Sequence, residues 1–327
     1  MVKYANEKYN DEKRLQFEIL NVEMKSLPKK YISEFDHIFS FHTLHWCSDI
    51  RAEVEKAMES PKIYNEGNKI QKRIISSVIE EYTENLMNVR GKCMDIGCGP
   101  GDITKDILLP SLGSSAQIIG VDISEHMVKY ANEKYNDEKR LQFEVLNAET
   151  KSLPKKYISE FDHIFSFHTF QWCSDIRQVL KNIYQMLQPN GFTLLYIIAA
   201  ANYFEIIQRL VRDIRFAQYV PEEIKHILPY QEFNCTRKGF KELLQSEGFS
   251  VHHCSLRDKI YFEEISGPFL GTLLSITHFL QNMPQDLAEQ FKHALKDEYM
   301  KENKTVYHNE ELIAHAHKGL LIYAQKI

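Results

Sequence analysis

The segment CMDIGCGPGD, residues 93–102, decides the fold class of this chain. Its apolar start predicts a short strand over 93–96, and Asp102 starts a predicted helix that Pro110 should stop after Leu109. The glycines between strand and helix let the backbone pass close to a ligand, and the helix start presents free N–H groups. We therefore expect a ligand-binding loop at the carboxyl edge of an open α/β sheet.

Strands and helices alternate outward from this loop. Apolar runs and alternating patterns predict further strands over 117–122, 141–146, 161–167 and 192–198, with helices over 67–86, 124–135 and 176–187. The later chain predicts an irregular helical insertion at 202–235, a helix over 236–246, strands over 249–258 and 318–324, and a largely helical stretch at 263–303. The alternation indicates right-handed crossovers and an open parallel sheet.

Two acids define the class of ligand. Asp122 ends the second strand, 21 residues after Gly101, where a carboxylate can accept both hydroxyls of a ribose. Asp95, immediately before the glycines, suits a ligand that carries an ammonium group. S-adenosylmethionine has both features. A nicotinamide cofactor remains an alternative, although its G-x-G-x-x-G fingerprint has glycine where this chain has Asp102.

The motifs MDIGCGPGD and GVDIS resemble those of the class I S-adenosylmethionine-dependent methyltransferases. That resemblance implies a doubly wound, Rossmann-like α/β fold with a seven-stranded, mostly parallel sheet, an antiparallel last strand and helical insertions. A closer resemblance over 58–327 is to the insect juvenile hormone acid O-methyltransferase family. It rests on YNEGNKIQ (64–71), VDISEHMVKYA (121–131), FDHIFSFHTFQW (161–172) and LLIYAQK (320–326).

The resemblance implies an enzyme of juvenile hormone biosynthesis that methylates the carboxylate of a hydrophobic acid, such as farnesoic acid or juvenile hormone acid. The cofactor S-adenosyl-L-methionine would be bound by Asp95, Gly97, Gly99, Gly101, Asp122, Ile123, Asn147, Ala148 and Phe167. Within that set, Asn147 and Ala148 would border the adenine, although many relatives have an acid where this chain has Asn147.

The implied catalytic pair is Gln71 and Trp172, whose neutral N–H donors would hold the substrate carboxylate. Such an acid is already ionised at neutral pH and needs no general base. We therefore expect His168 to pack or to form a hydrogen bond. Two alternatives stay open: a methyltransferase for another small acid of the trans-aconitate kind, and a non-catalytic paralogue that binds a hydrophobic acid.

Composition excludes several other classes. The chain has 327 residues, a net charge of −5 and 43% apolar residues, typical of a globular protein without a nucleic-acid footprint. The longest apolar run, 192–201, is about half of what a membrane span needs. Six cysteines without C-x-x-C spacing and histidines without a metal-like partner set predict neither disulfides nor a metal site. We expect a cytoplasmic protein.

Residues 1–51 repeat residues 127–177 without gaps, and 46 of the 51 positions are identical. The copy contains equivalents of the third and fourth strands but has no glycine loop. We expect residues 1–57 to be a partial duplicate, or the product of a chimeric gene model, and not an independent domain. The alternative is a regulatory appendage. The methyltransferase domain would then be 58–327.

This interpretation predicts that residues 58–327 alone fold, bind cofactor and keep full activity. The duplicated strands would find their places in the sheet already filled by 141–146 and 161–167. The test compares the melting temperature and turnover of the full chain with those of the chain from Met58 onward. A shorter chain that fails to fold, or loses activity, would give the duplicate a structural role.

Overall fold

The computed structural model describes residues 67–173, 175–220, 236–264, 277–307 and 310–327. The expectations for the N-terminal duplicate, for the start of the YNEGNKIQ motif, and for 221–235 and 265–276 lie outside the described residues.

One mixed sheet organises the described chain. Its strands are β1 (Lys92–Ile96), β2 (Gln117–Asp122), β3 (Leu141–Val145), β4 (Phe161–Phe167), β5 (Leu187–Ala201), β6 (Phe249–Glu264), β7 (Lys304–Tyr307) and β8 (Glu310–Lys326). Seven strands form the order β3-β2-β1-β4-β5-β8-β6, and β7 pairs with β8. Strands β1 to β5 pair in parallel, whereas β8 lies antiparallel between β5 and β6. The predicted fold class is confirmed, and β7 is an addition that the sequence did not reveal.

Helices cover both faces of this sheet. They are α1 (Lys69–Glu81), α2 (Thr83–Leu86), α3 (Leu109–Ser111), α4 (Glu125–Lys134), α5 (Ile176–Met186), α6 (Asn202–Arg212), α7 (Arg237–Ser246) and α8 (Gln285–Asn303). A π-helical stretch, Thr104–Leu108, precedes α3, and 3₁₀ turns occupy Lys155–Tyr157, Phe170–Trp172, Ala217–Tyr219 and His278–Asn282. No helix within the described ranges is long and apolar enough to cross a membrane.

Each face of the sheet has its own apolar core, and β5 shows the division. Leu194, Tyr196 and Ile198 pack with α1, α4, α6 and α8, whereas Leu195 and Ile197 pack with α5 and α7. Both sets are almost fully buried. Because successive side chains of a strand point to opposite faces, a strand covered on both faces is a continuous apolar run. This is why the run at 192–201 is a central strand.

Several predicted boundaries are wrong. The first helix is interrupted at Tyr82, so that α1 and α2 replace one helix over 67–86. The helix after the glycine loop continues beyond Pro110 to Ser111. Residues 189–191, for which the sequence predicts a turn between the helix over 176–187 and the strand over 192–198, lie inside β5, where pairing with β4 shifts register and Asn190 has a φ of +65°.

The two late strands are also longer than predicted. β6 and β8 pair from Phe249 with Lys326 as far as Glu264 with Leu312. The outer part of β6 carries exposed and half-buried side chains as far as Phe262, so its hydrophobic signal is weak. In the outer part of β8, the buried Ile313 and His315 alternate with less buried residues.

Candidate active site

The glycine loop is fixed against the end of β2. The N–H groups of Gly97 and Cys98 both donate to the carbonyl of Val121, at 2.7 and 3.0 Å. Gly97 has a φ of +74°, and a Cβ built there would lie 2.1 Å from the Thr169 hydroxyl. Only glycine satisfies both the backbone conformation and this close approach. The loop therefore depends on the strand beside it and on the turn that follows β4.

Asp122 joins the same loop to the end of β2. Its Oδ2 accepts a hydrogen bond from the N–H of Gly99 at 2.9 Å, and its Oδ1 accepts one from the N–H of Ser124 at 2.9 Å. Burial raises the pKa of this carboxyl, and the backbone N–H groups oppose that rise. A carboxylate has about four acceptor sites, so both oxygens retain capacity for a ligand hydroxyl.

Asp95 is a buried acid at the end of β1. Its side chain is 3% exposed, and the hydroxyl of Thr104 donates to Oδ2 at 2.6 Å. Burial raises the pKa of Asp95 to about 7, the bond from Thr104 opposes the rise, and the nearby charge of Asp122 adds to it. The charged form of Asp95 is therefore costly unless a cation lies beside it.

A cleft opens above the glycine loop. It is lined by Asp95, Gly97, Cys98, Gly99, Pro100, Asp102, Ile103, Phe167 and His168. Four predicted cofactor residues thus meet in one place: Asp95, Gly97, Gly99 and Phe167. Gly101 faces elsewhere, since a Cβ there would meet the ring of Phe143 at 2.6 Å.

The other predicted cofactor residues lie on neighbouring segments outside this lining. Ile123 follows Asp122 and is 45% exposed. Asn147 and Ala148 lie on the turn after β3, where the Asn147 Oδ1 accepts the N–H of Glu149 at 2.8 Å. The Asn147 side chain therefore shapes its own turn.

Asn182 of α5 holds that turn from below. It is 2% exposed, and its Nδ2 donates to the carbonyls of Ala148 and Thr150, both at 2.8 Å. Its Oδ1 accepts a bond from Gln178 at 3.0 Å. Both amide ends of this buried side chain are therefore used to position the segment that follows β3.

Helix α1 is anchored to the glycine loop by an interaction that sequence reasoning missed. Asp102 is 1% exposed. Its Oδ2 accepts a hydrogen bond from Asn68 Nδ2 at 2.8 Å and forms an ion pair with Lys72 Nζ at 2.6 Å. Asn68 and Lys72 are four residues apart and thus share one face of the helix. That spacing, opposite an acid at a helix start, is the signal that could have found the interaction.

The two predicted catalytic residues lie on separate elements. Gln71 lies on α1, one turn beyond Asn68, and its buried Oε1 has no hydrogen-bond partner within the described ranges. Trp172 ends the 3₁₀ turn after β4, is 36% exposed, and packs edge-on against Phe204 of α6 with ring centroids 5.8 Å apart. Trp172 follows the carboxyl end of β4, and Gln71 follows Asn68, which donates to Asp102 of the loop, but neither residue belongs to the lining of the cleft.

The raised pKa of Asp95 predicts a pH effect on stability. A carboxyl whose pKa is higher in the folded than in the unfolded protein stabilises the fold at low pH and loses that contribution as pH rises to about 7. Asp95→Asn should therefore gain stability relative to the wild type between pH 5 and 8, by roughly 1.4 kcal/mol for each pH unit up to 7. Urea unfolding at both pH values measures this, with the exposed Asp258→Asn as a matched control. If the stability of Asp95→Asn changed with pH in the same way as that of Asp258→Asn and the wild type, the raised pKa of Asp95 would be contradicted.

Removing the support of the turn after β3 should be costly. Asn182→Ala removes the side-chain donor of the Ala148 carbonyl and leaves the Thr150 carbonyl only the longer bond from Gln178 at 3.4 Å. We expect a loss of roughly 1–3 kcal/mol in the free energy of unfolding. Gln178→Ala removes the contact to Asn182 and that longer bond, and it should cost less. If the turn borders the cofactor, calorimetry will also show weaker binding of S-adenosylmethionine by Asn182→Ala. Unchanged stability in both variants would mean that the turn after β3 is stable without these two side chains.

Comparison with known proteins agrees with this geometry. Residues 94–195 match a family model described as a methyltransferase domain. The chain is 28% identical over 238 residues to the juvenile hormone acid O-methyltransferase of Drosophila melanogaster, covering 72% of this chain and 80% of the relative. It is 27% identical to the enzyme of the same name from Bombyx mori, covering 72% and 84%. A malonyl-[acyl-carrier protein] O-methyltransferase of Acetivibrio thermocellus is 31% identical, over 40% of this chain and 43% of the relative.

The match to this family begins at Met94 in β1 and ends within β5. It includes the glycine loop, Asp122 and the turn after β4. The family resemblance and the cofactor predicted from the motifs are thereby confirmed. The chain carries a methyltransferase domain, with S-adenosylmethionine as its cofactor, and it resembles the juvenile hormone acid O-methyltransferases.

Proposed function

We propose that this chain transfers a methyl group to the carboxylate of a hydrophobic acid such as farnesoic acid or juvenile hormone acid. One observation carries the proposal. The glycine-loop cleft lies at the carboxyl edge of the sheet, where Trp172 follows β4 and where Asn68, one helical turn before Gln71 on α1, donates to Asp102 of the loop. The similarity to two juvenile hormone acid O-methyltransferases supports the choice of acid.

The residues around the cleft fit S-adenosylmethionine. The absent Cβ at Gly97 and the positive φ of Gly99 leave the loop backbone free to approach a ligand. Asp95 and Asp122 supply carboxylates for an ammonium group and for ribose hydroxyls. When bound, this cofactor supplies an electrophilic methyl group on a sulfonium. The chain's own residues must then bring an oxygen nucleophile into line and exclude water.

The protonation state of the cleft supports a carboxylate as that nucleophile. His168 is the imidazole that lines the cleft, and burial lowers its pKa to about 3. Such a weak base would activate an alcohol poorly near neutral pH. A carboxylic acid is already ionised there. The cleft therefore favours an acceptor that needs no deprotonation.

Neutral donors suit this task. The amide N–H groups of Gln71 and the indole N–H of Trp172 can orient a carboxylate, and neither group has a proton to lose near neutral pH. They also leave more electron density on the attacking oxygen than an Arg or Lys partner would. Positioning of this kind can contribute on the order of 7–11 kcal/mol to lowering a barrier.

The surroundings of Trp172 support an apolar acid. Its ring meets Phe204, which in turn lies 4.3 Å from the ring of Tyr203. Behind them α6 buries Ile206, Ile207 and Leu210. An apolar chain attached to the carboxylate would therefore lie against apolar and aromatic side chains.

The activity can be tested by a transfer assay with labelled S-adenosylmethionine. The acceptors are farnesoic acid, juvenile hormone acid, a saturated fatty acid of similar length and trans-aconitate. We expect methyl ester from the terpenoid acids and little from trans-aconitate. Ester from trans-aconitate alone would move the substrate to small polar acids. No ester from any acid would contradict the proposal.

Trp172→Phe tests the carboxylate donor. The substitution keeps an aromatic ring against Phe204 but removes the indole N–H. A hydrogen bond to a charged group contributes about 1.5–3 kcal/mol, so kcat/KM should fall roughly ten- to a hundredfold, with cofactor affinity unchanged. Phe204→Leu is the matched control, because it changes the same packing without touching the donor. Equal losses in the two variants would make Trp172 a packing residue only.

A further inference from the structure

The backbone of His168 is held in an unusual conformation directly after β4. Its φ is +57°, in the left-handed region that non-glycine residues seldom adopt. Its N–H donates to the carbonyl of Tyr196 at 2.9 Å, and its own carbonyl accepts a bond from Gln171 Nε2 at 2.6 Å. Such strain persists only where the surrounding structure fixes it, and it is concentrated at functional sites.

The imidazole has an unused polar atom. His168 lines the same cleft as Asp95 and Phe167, and its Nε2 is buried without a hydrogen-bond partner among the residues that the structure describes. A buried polar group left unpaired costs about 1–3 kcal/mol. A cleft-lining residue can recover that cost when a ligand supplies the missing partner.

The ring of His168 packs against a tyrosine of β5. It packs edge-on against Tyr196 of β5, with centroids 5.3 Å apart and an interplanar angle of 63°. The Tyr196 hydroxyl is paired with Nε2 of His317 at 3.1 Å. Gly319 leaves room for this tyrosine, because a Cβ there would lie 1.9 Å from its hydroxyl. Residues of β5 and β8 thus fix Tyr196 in place, and Tyr196 fixes the face of His168.

The charge state of His168 limits what it can do. Burial and, to a smaller extent, the neighbouring His317 together lower its pKa to about 3. The imidazole is therefore neutral throughout the physiological range. A neutral ring can donate one N–H without repelling a cationic cofactor and without taking a proton from the substrate.

We propose that His168 is a third contact of the substrate carboxylate, beside Gln71 and Trp172, and that its Nε2–H donates to that carboxylate. The inference rests on the proposed function and extends it, because it assigns an additional substrate-binding residue. Three neutral donors on three segments, α1, the end of β4 and the turn that follows it, would fix the plane of the carboxylate.

The test compares two substitutions at one position. His168→Phe keeps a ring against Tyr196 and removes the donor, whereas His168→Gln keeps an N–H donor. Calorimetry on protein saturated with S-adenosylhomocysteine measures binding of farnesoic acid without turnover, and the transfer assay gives kcat and KM. His252→Phe is a matched control, because His252 is exposed and pairs with Gln325.

We expect His168→Phe to weaken acid binding and to raise KM roughly tenfold, with cofactor affinity and melting temperature close to the wild type. His168→Gln should recover part of the acid affinity, and His252→Phe should match the wild type. The wild type and His168→Gln should show the same pH dependence of the rate between pH 6 and 9, because a histidine that stays neutral does not titrate there.

Three results would overturn the inference. If His168→Phe binds the acid as tightly as the wild type does, His168 does not contact the carboxylate. Equal losses of cofactor affinity and melting temperature in both His168 variants indicate a structural role. A wild-type rate that falls as pH drops, and loses that dependence in His168→Gln, indicates a base. All three leave the proposed function standing, whereas a wild-type protein that neither binds nor methylates any acid overturns both.

Discussion

The carboxylate of Asp122 is the interaction on which the site depends. It accepts N–H groups from Gly99 in the loop after β1 and from Ser124 at the start of α4, at 2.9 Å each. Two segments that are separate in the sequence are therefore joined at the carboxyl edge of the sheet. The same acid is predicted to hold the ribose. Replacing it would remove a ligand contact and release the loop together, so its role in binding cannot be separated from its role in folding by a single substitution.

The sequence was sufficient to predict a strand or a helix start where local chemistry and burial indicate the same structure. Three elements were predicted because each carries its own local signal: the strand before the glycines, the helix start at Ser124 and the strand over 192–198. The signals are glycines after an apolar run, a hydroxyl that accepts the Met127 N–H, and continuous apolarity. The parallel pairing of β1 to β5 was predicted from the alternation of strands and helices, whereas their order in the sheet was not. The position of β8 came from the family resemblance, since periodicity alone does not place an antiparallel strand.

The rest of the site depends on contacts between segments distant in sequence, which no local pattern contains. The ion pair of Lys72 with Asp102 joins residues 30 positions apart, and β7 exists only because β8 offers it an edge. His168 was expected to pack, and it does pack on Tyr196. Its left-handed backbone, and an Nε2 without a partner in the described part of the chain, could not be predicted, because both follow from how β4 ends against β5.

The distribution of charge around the cleft relates the two halves of the proposed reaction. Burial raises the pKa of the Cys98 thiol, and so do the charges of Asp122, Asp95 and Asp102, which places three carboxylates around one loop. Lys72 offsets Asp102. In the proposed reaction, Asp95 and Asp122 would contact the cofactor, and Gln71, Trp172 and the uncharged His168 would supply neutral donors to the acid. In the proposed reaction, the negative loop would attract the cationic cofactor. Neutral donors would bind the carboxylate without adding a positive charge beside it, so the attacking oxygen would keep most of its nucleophilicity.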